Sequence, residues 1–276
     1  MSLDTWWTEG RRSGDLFVHD AGDGPLVTLL HGYPGSSHDF HAVVSELGDV
    51  RTLAPDLLGF GASSKPRDHA YSIGEQAELV ERLWLEVGMT STVLVAHDYS
   101  VSVALELIAR GASGITAVVL LNGGVYPHLH RPTAGQQLLL GPDGPALASV
   151  IDEAAFTNGL RETFAVTTDG QLHDLWSAMS RDDGQLLMPD LLHYIADRKV
   201  HGDRWATAME TTSLPLTFVW GLEDPVSGAH MIEEVRRRVP NADVRALPGV
   251  SHWPPLEAPG EVVRAIRDAL AGSAAK

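Results

Sequence analysis

Thr92-Val93-Leu94-Val95-Ala96-His97-Asp98-Tyr99-Ser100-Val101-Ser102 is the stretch that decides how this chain folds. Thr92–Ala96 is β-branched and apolar, the composition of a buried strand, and Tyr99–Arg110 carries the apolar spacing of a helix. The joint, Ala96-His97-Asp98-Tyr99-Ser100, has small residues two before and two after its centre. A strand that turns sharply into a helix needs this, because a bulky flank would collide with the turn that lifts the central residue clear of the sheet. Serine is the familiar occupant of such a corner and attacks acyl carbon. A carboxylate there suits displacement at a saturated carbon, giving an alkyl ester that water opens at the carboxyl carbon. Ser100 and Ser102 compete for the crest. Centring on Ser100 puts Asp98 at a flank that should be small, and Ser102 lies inside the apolar helical run Val101–Ile108. Aspartate is also a good helix N-cap; two distant partners favour the catalytic reading.

Outward from this joint, strand and helix signals alternate. Asp15–His19, Leu26–Leu30, Arg51–Ala54, Thr116–Leu121, Pro215–Trp220 and Val244–Leu247 read as further strands. Ile73, Ala77, Val80, Trp84 and Val87 share one helical face, and Met231–Val239 and Val262–Leu270 read as helices. Such alternation predicts an α/β protein, a mostly parallel sheet with helices on both faces. Between residues 123 and 213 the rhythm breaks into amphipathic patches, Leu172–Met179 and Leu186–Arg198 among them. An insertion after a parallel strand lands over the carboxyl ends of the strands, where ligands bind. The expected division is therefore a core of 1–122 and 214–276 and a helical cap of 123–213.

The partners of Asp98 follow in chain order. Asp224, in Gly221-Leu222-Glu223-Asp224-Pro225-Val226, lies just past a strand, where a carboxylate can hold an imidazole. His252, in Ser251-His252-Trp253-Pro254-Pro255, lies in the loop before the last helix. Nucleophile, acid and histidine thus occur in the order used by one large group of hydrolases. His31-Gly32-Tyr33-Pro34-Gly35 follows the strand Leu26–Leu30, and the backbone N–H groups of Tyr33 and Tyr99 would form an oxyanion hole.

Bulk composition removes other classes. With 20 basic and 36 acidic residues in 276, the net charge of −16 argues against nucleic acid and anionic membranes. There are no cysteines, so thiolate chemistry and disulfides are excluded. Met1–Arg12 has no apolar core of signal-peptide length and no run approaches a membrane span, which predicts a cytoplasmic protein. None of the 13 histidines shows a ligand spacing backed by carboxylates, so no metal or other cofactor is expected. Oligomeric state is open, with self-association allowed.

His31–Gly35, Asp56-Leu57-Leu58-Gly59-Phe60-Gly61-Ala62-Ser63, Ala96–Ser100, Gly221–Val226 and Ser251–Trp253 together resemble the α/β-hydrolase superfamily, in its epoxide hydrolase and haloalkane dehalogenase branch. Leu121–Pro127, His130-Arg131-Pro132, Asp182-Asp183-Gly184 and Leu192–Lys199 are similar to the cap of mesoderm-specific transcript proteins and their bacterial relatives. The resemblance implies the α/β-hydrolase fold, with an eight-stranded sheet and a helical cap inserted after the sixth strand. The expected partners are a small, apolar epoxide and water, although the likeness itself says little of the substrate. In epoxide hydrolases cap tyrosines protonate the departing alkoxide, since a phenol with pKa of about 10 stays protonated at neutral pH. Tyr194 is the better candidate and Tyr126, at the hinge, the weaker. Haloalkane dehalogenases carry a tryptophan after the nucleophile and commonly an asparagine after His-Gly. Here Tyr99 and Tyr33 stand there, although Trp176 and Trp205 of the cap are candidates for holding a substrate halide. The expected activity is epoxide hydrolysis to vicinal diols. Haloalkane dehalogenation is the alternative, followed by a serine esterase or lactonase and a non-catalytic binding protein.

Overall fold

The computed structural model describes residues 1–274. Eight strands form one sheet in the order β1-β2-β4-β3-β5-β6-β7-β8. They are β1 (Arg11–Ser13), β2 (Leu16–Ala21), β3 (Leu26–Leu30), β4 (Arg51–Asp56), β5 (Thr92–His97), β6 (Ile115–Leu121), β7 (Leu216–Gly221) and β8 (Asp243–Leu247). β2 pairs antiparallel with β1 and β4, and all other pairs are parallel. The short edge strand β1 went unread because its three polar residues carry no periodic signal. The helix α1 (Leu3–Glu9), capped by Ser2 and anchored by buried Trp6 stacked on His19, was likewise unread.

Strand alternation builds two cores, because successive side chains point to opposite faces. Val27, Leu29, Val93, Val95 and Val119 face Trp6 and Val43 of α2 (His41–Glu46), together with Val262 and Ile266 near the C-terminus. Leu94, Ala96, Val118 and Leu120 face α3 (Ile73–Glu86) and α4 (Tyr99–Arg110). α3 begins at Ser72, whose hydroxyl accepts the Glu75 N–H.

From β3 the chain passes to β4 on one side, then returns through α3 to β5 on the other. The gap between the carboxyl ends of β3 and β5 is therefore the switch point at which open α/β sheets bind ligands. His31–Pro34 leave one side of that gap and Asp98 rises from the other.

Between β6 and β7 all the regular structure is helical: α5 (Ala134–Leu139), α6 (Gly144–Val150), α7 (Glu153–Arg161), α8 (Asp169–Ser180), α9 (Met188–Leu191) and α10 (Tyr194–Thr211), with short 3-10 turns. The stretch Leu186–Arg198, which the sequence suggests as one patch, is broken. Asp182 and Asp183, with φ of 52° and 58°, lie in a 3-10 turn that ends at Leu187; α9 then occupies Met188–Leu191 and ends at Leu192, and His193 caps a new helix. Tyr194 consequently opens an 18-residue helix instead of lying within one. Beyond β7 come α11 (Ala229–Arg238), α12 (Pro254–Glu257) and α13 (Pro259–Ala274). No helix among the described residues is long and apolar enough to cross a membrane.

Gly123, the second residue after β6, lies against the start of α4. A Cβ there would fall 2.5 Å from Val101 Cγ2 and 2.9 Å from the Asp98 carbonyl oxygen. Gly123→Ala is expected to lower unfolding free energy by about 1–3 kcal/mol, because neither neighbour has room to withdraw. A urea midpoint equal to that of the parent would contradict this packing.

Candidate active site

Asp98 sits at the tip of the corner with φ 44° and ψ −103°, a conformation that costs a non-glycine residue about 1–3 kcal/mol. Its N–H is held by the carbonyls of Leu121 and Asn122, and its own carbonyl accepts the Val101 N–H, so the corner is fixed by backbone on both sides. The side chain is 3% exposed. Its Oδ2 accepts the Tyr33 N–H at 3.1 Å, and its Oδ1 lies 3.8 Å from His252 Nε2. Tyr99 is the first residue of α4, so its N–H has no acceptor within the helix.

The Tyr33 loop is pinned from below. Leu57 N–H donates to His31 Nε2 at 3.0 Å, which leaves Nδ1 as the donor to the Gly32 carbonyl at 2.9 Å. Asp56 accepts the N–H groups of Ser37 and Ala62, both at 2.7 Å, joining the β3 and β4 loops.

His252 Nδ1 meets Asp224 Oδ2 at 2.8 Å. Asp224 also accepts from the Asn122 amide at 2.9 Å, the Ser227 hydroxyl at 2.7 Å and the Val226 N–H at 2.7 Å. Although burial opposes ionisation of Asp224, the charge and hydrogen bond of His252, with the bonds from Asn122 and Ser227, hold its carboxyl far below the usual range. Burial also pulls His252 down, but the charge and hydrogen bond of Asp224, then the charges of Asp98 and Glu257, outweigh it and push the imidazole from 6.5 to about 9. His252 therefore holds its ring proton more firmly than an ordinary imidazole. Asn122 was not foreseen as part of this arrangement; only its position directly after β6 hints at it.

Two phenols complete the site. Tyr194 is fully buried, its ring 4.9 Å from that of Tyr99 and 6.4 Å from that of Tyr33. Neither the Tyr194 nor the Tyr33 hydroxyl has a hydrogen-bond partner, although both are buried. Burial, reinforced by the Asp98 carboxylate, drives the ionisation of Tyr194 well above the usual phenol range, with Arg198 opposing. Burial, Tyr194 and Asp98 raise Tyr33 in the same direction. Both are neutral donors with no protein acceptor. The sequence pointed to Tyr33 only for its backbone N–H; its phenol emerges from the packing of α10 over the β3 loop.

The other cap candidates lie elsewhere. Tyr126 donates its hydroxyl to Glu210 at 3.1 Å and carries Arg238 4.9 Å above its ring, so it joins the end of α10 to α11 rather than facing Asp98. The Trp205 indole N–H is committed to Glu106 at 2.5 Å. Trp176 packs on Phe156, which lines the cavity, and is not itself among the lining residues. That cavity, of about 120 Å³, is lined by Leu139, Phe156, Met188, Val226 and Trp253 and ends on Tyr33 and His252, the two residues that touch the Asp98 carboxylate. Ser100 donates its hydroxyl to the His31 carbonyl, and Ser102 accepts from Arg198 Nε at 2.8 Å.

A family model described as alpha/beta hydrolase fold matches residues 25–259. The chain belongs to the alpha/beta hydrolase fold family. LipZ of Mycobacterium tuberculosis is 37% identical over 267 residues, spanning 92% of this chain and 93% of that protein. The mesoderm-specific transcript homolog protein of Bos taurus is 36% identical over 283 residues, 94% of this chain and 84% of its own. Epoxide hydrolase 3 of Xenopus tropicalis is 25% identical over 273 residues, 89% and 71% of the two. Among solved structures, a loop variant of haloalkane dehalogenase DbeA from Bradyrhizobium elkanii has a TM-score of 0.80 at 20% identity over 94% of both chains, a likeness of fold. The branch expected from the motifs is thus the one in which this alpha/beta hydrolase has its relatives.

A raised His252 means that the folded state binds this proton more tightly than the unfolded chain. The linked stabilisation is complete below pH 6.5 and is lost as pH rises through about 9. Asp224→Asn should lower the His252 pKa most and Asp98→Asn by less, as read from the ring C–H resonances in an NMR titration. Identical titration curves in all three proteins would remove the electrostatic account.

Proposed function

We propose that this alpha/beta hydrolase opens small apolar epoxides to vicinal diols through a covalent ester on Asp98. The observation that carries the reading is the pair of buried, unpartnered phenols, Tyr33 and Tyr194, beside a carboxylate at a strand–helix corner. A buried hydroxyl without a partner costs about 1–3 kcal/mol. An epoxide oxygen resting between the two phenols would remove that cost in the complex.

The cycle balances. Asp98 attacks an epoxide carbon, the ring C–O bond breaks, and Tyr194 gives its proton to the oxygen while Tyr33 donates a second hydrogen bond. Once Asp98 is an ester it no longer helps hold the His252 proton, which passes to the Tyr194 phenolate and leaves a neutral base. His252, oriented by Asp224, then takes a proton from water as the oxygen adds to the ester carbonyl. The Tyr33 and Tyr99 N–H groups hold the resulting oxyanion. On collapse the acyl C–O bond breaks and the departing alkoxide takes the remaining proton of the added water, so the diol leaves, Asp98 is again a carboxylate with one oxygen from water, and His252 is again protonated. The helices of residues 123–213 act in this scheme as the cap that brings Tyr194 to the reaction.

Cavity size supports a compact substrate: about 150 Å³ admits a benzene ring, and this cavity, of about 120 Å³, is comparable. Dehalogenation fits less well, because a departing halide needs N–H donors and the Trp205 indole is already engaged. A serine esterase fits poorly as well, since the hydroxyls of Ser100 and Ser102 are buried and engaged, one by the His31 carbonyl and the other by Arg198.

Incubation with styrene-type and short aliphatic epoxides, bromoalkanes and p-nitrophenyl esters should give diol as the dominant product. Release of bromide with inert epoxides would favour dehalogenation instead. His252→Gln should accumulate a protein heavier by the mass of one epoxide, with the label on the peptide containing Asp98, and Asp98→Asn should show no such adduct. Diol formation by Asp98→Asn at the parent rate, with deamidation excluded by mass, would sink the covalent scheme.

A further inference from the structure

Arg198 is 2% exposed and lies in the second turn of α10. Its Nε donates to Ser102 Oγ at 2.8 Å, its Nη2 donates to the Asp98 carbonyl at 3.1 Å, and its guanidinium carbon stands 4.4 Å from the centre of the Tyr194 ring. Its Nη1 is buried without a partner, against Gly124, where a Cβ would fall 2.3 Å away. These contacts are two neutral oxygens and a ring face, with no carboxylate oxygen among them. A charge buried without a close counter-ion is expensive to keep. Fastening α10 to α4 does not call for it, because Trp205 and Arg204 already bind Glu106 at the same interface.

We propose, building on the reading above, that Arg198 is a positioning residue for ring opening, bracing the Asp98 corner from behind and holding positive charge against the ring of Tyr194. During that step negative charge leaves the Asp98 carboxylate, which becomes a neutral ester, and arrives on the Tyr194 oxygen as its proton moves to the alkoxide. Arg198 touches the residues at both ends of this transfer and does not have to move. The charged and titratable groups around Tyr194 are Asp98, Tyr33 and Tyr99, each of which disfavours a phenolate, and Arg198, which favours it. Gly124 provides the space in which the guanidinium fits.

The test is the rate of ester formation in single turnover by Arg198→Met and Arg198→Lys, across epoxides bearing methyl, fluoromethyl and trifluoromethyl groups, whose alkoxides become progressively less basic. Arg198→Met should slow ester formation from the methyl compound by roughly 100-fold, the scale of general acid catalysis. That deficit should shrink along the series while hydrolysis of the ester changes little, and Arg198→Lys should recover part of the rate. A deficit that is uniform across the series, or shared equally by both steps, would make Arg198 a brace for the fold and overturn the proposal. Should the methionine variant fail to fold, the cycle of Arg198→Lys with Tyr194→Phe decides. The lysine change should cost little once the phenol is gone, and full additivity overturns the proposal. If the parent enzyme forms neither ester nor diol from any epoxide, the functional reading falls first and this inference falls with it.

Discussion

The backbone of Asp98, bent into a positive-φ corner and held there by hydrogen bonds from both sides, is the constraint on which the rest of the site depends. A carboxylate within β5 would point to one face of the sheet and be covered by the helices packed there. At this corner it stands at the mouth of the gap between β3 and β5, within reach of an amide from one loop and an imidazole from another. The strain is sustained because the sheet and α4 on either side are fully packed, and the two helical and strand ladders fix the residues that flank it. Gly123 and Gly124 leave the space that this geometry requires.

Charge alternates through the buried site. Arg198 stands behind Asp98, His252 lies beyond it, and Asp224 follows, itself satisfied by Asn122, Ser227 and the Val226 amide. Asp224 lies next to an imidazole and several hydrogen-bond donors, which is how its charge is kept in a low-dielectric interior, whereas Arg198 meets neutral oxygens and a ring face. The exceptions are informative. The Tyr33 and Tyr194 hydroxyls are satisfied by nothing, and they lie where the proposed substrate oxygen would sit. They join Arg198 Nη1 and several imidazole nitrogens among the buried polar atoms without a hydrogen-bond partner, and Tyr33 is the one of the two that lines the cavity.

Much of this was legible in the chain. The apolar run Thr92–Ala96 followed by a flanked Asp98 gave the corner, and the order of Asp98, Asp224 and His252 at successive strand ends gave the partners that meet in space. Helix α4 begins and ends where its pattern predicts, at Tyr99 and Arg110, because a glycine in the left-handed region follows. The cap was harder. Tyr126 and Tyr194 are the same residue type in the same insertion, and only the path of the chain sends one to Glu210 and the other to Asp98. Trp205 looks like a halide donor until its indole is seen on Glu106.

By itself, then, the sequence determined the sheet, the corner, and the identity and order of the groups attached to strand ends, because those follow from local patterns of period two and 3.6 and from short turns. The tertiary structure alone decided which phenols face Asp98, that the Tyr33 side chain joins its backbone in the site, that Asn122 orients Asp224, and that Arg198 lies buried behind the corner. These depend on how irregular helices, interrupted at Asp182–Asp183 and again at Leu192–His193, settle across a finished sheet. Contacts between residues about 100 positions apart, such as Arg198 with Ser102 and Asp98, have no local signature, since they are fixed by the packing of two helices and not by the spacing within either.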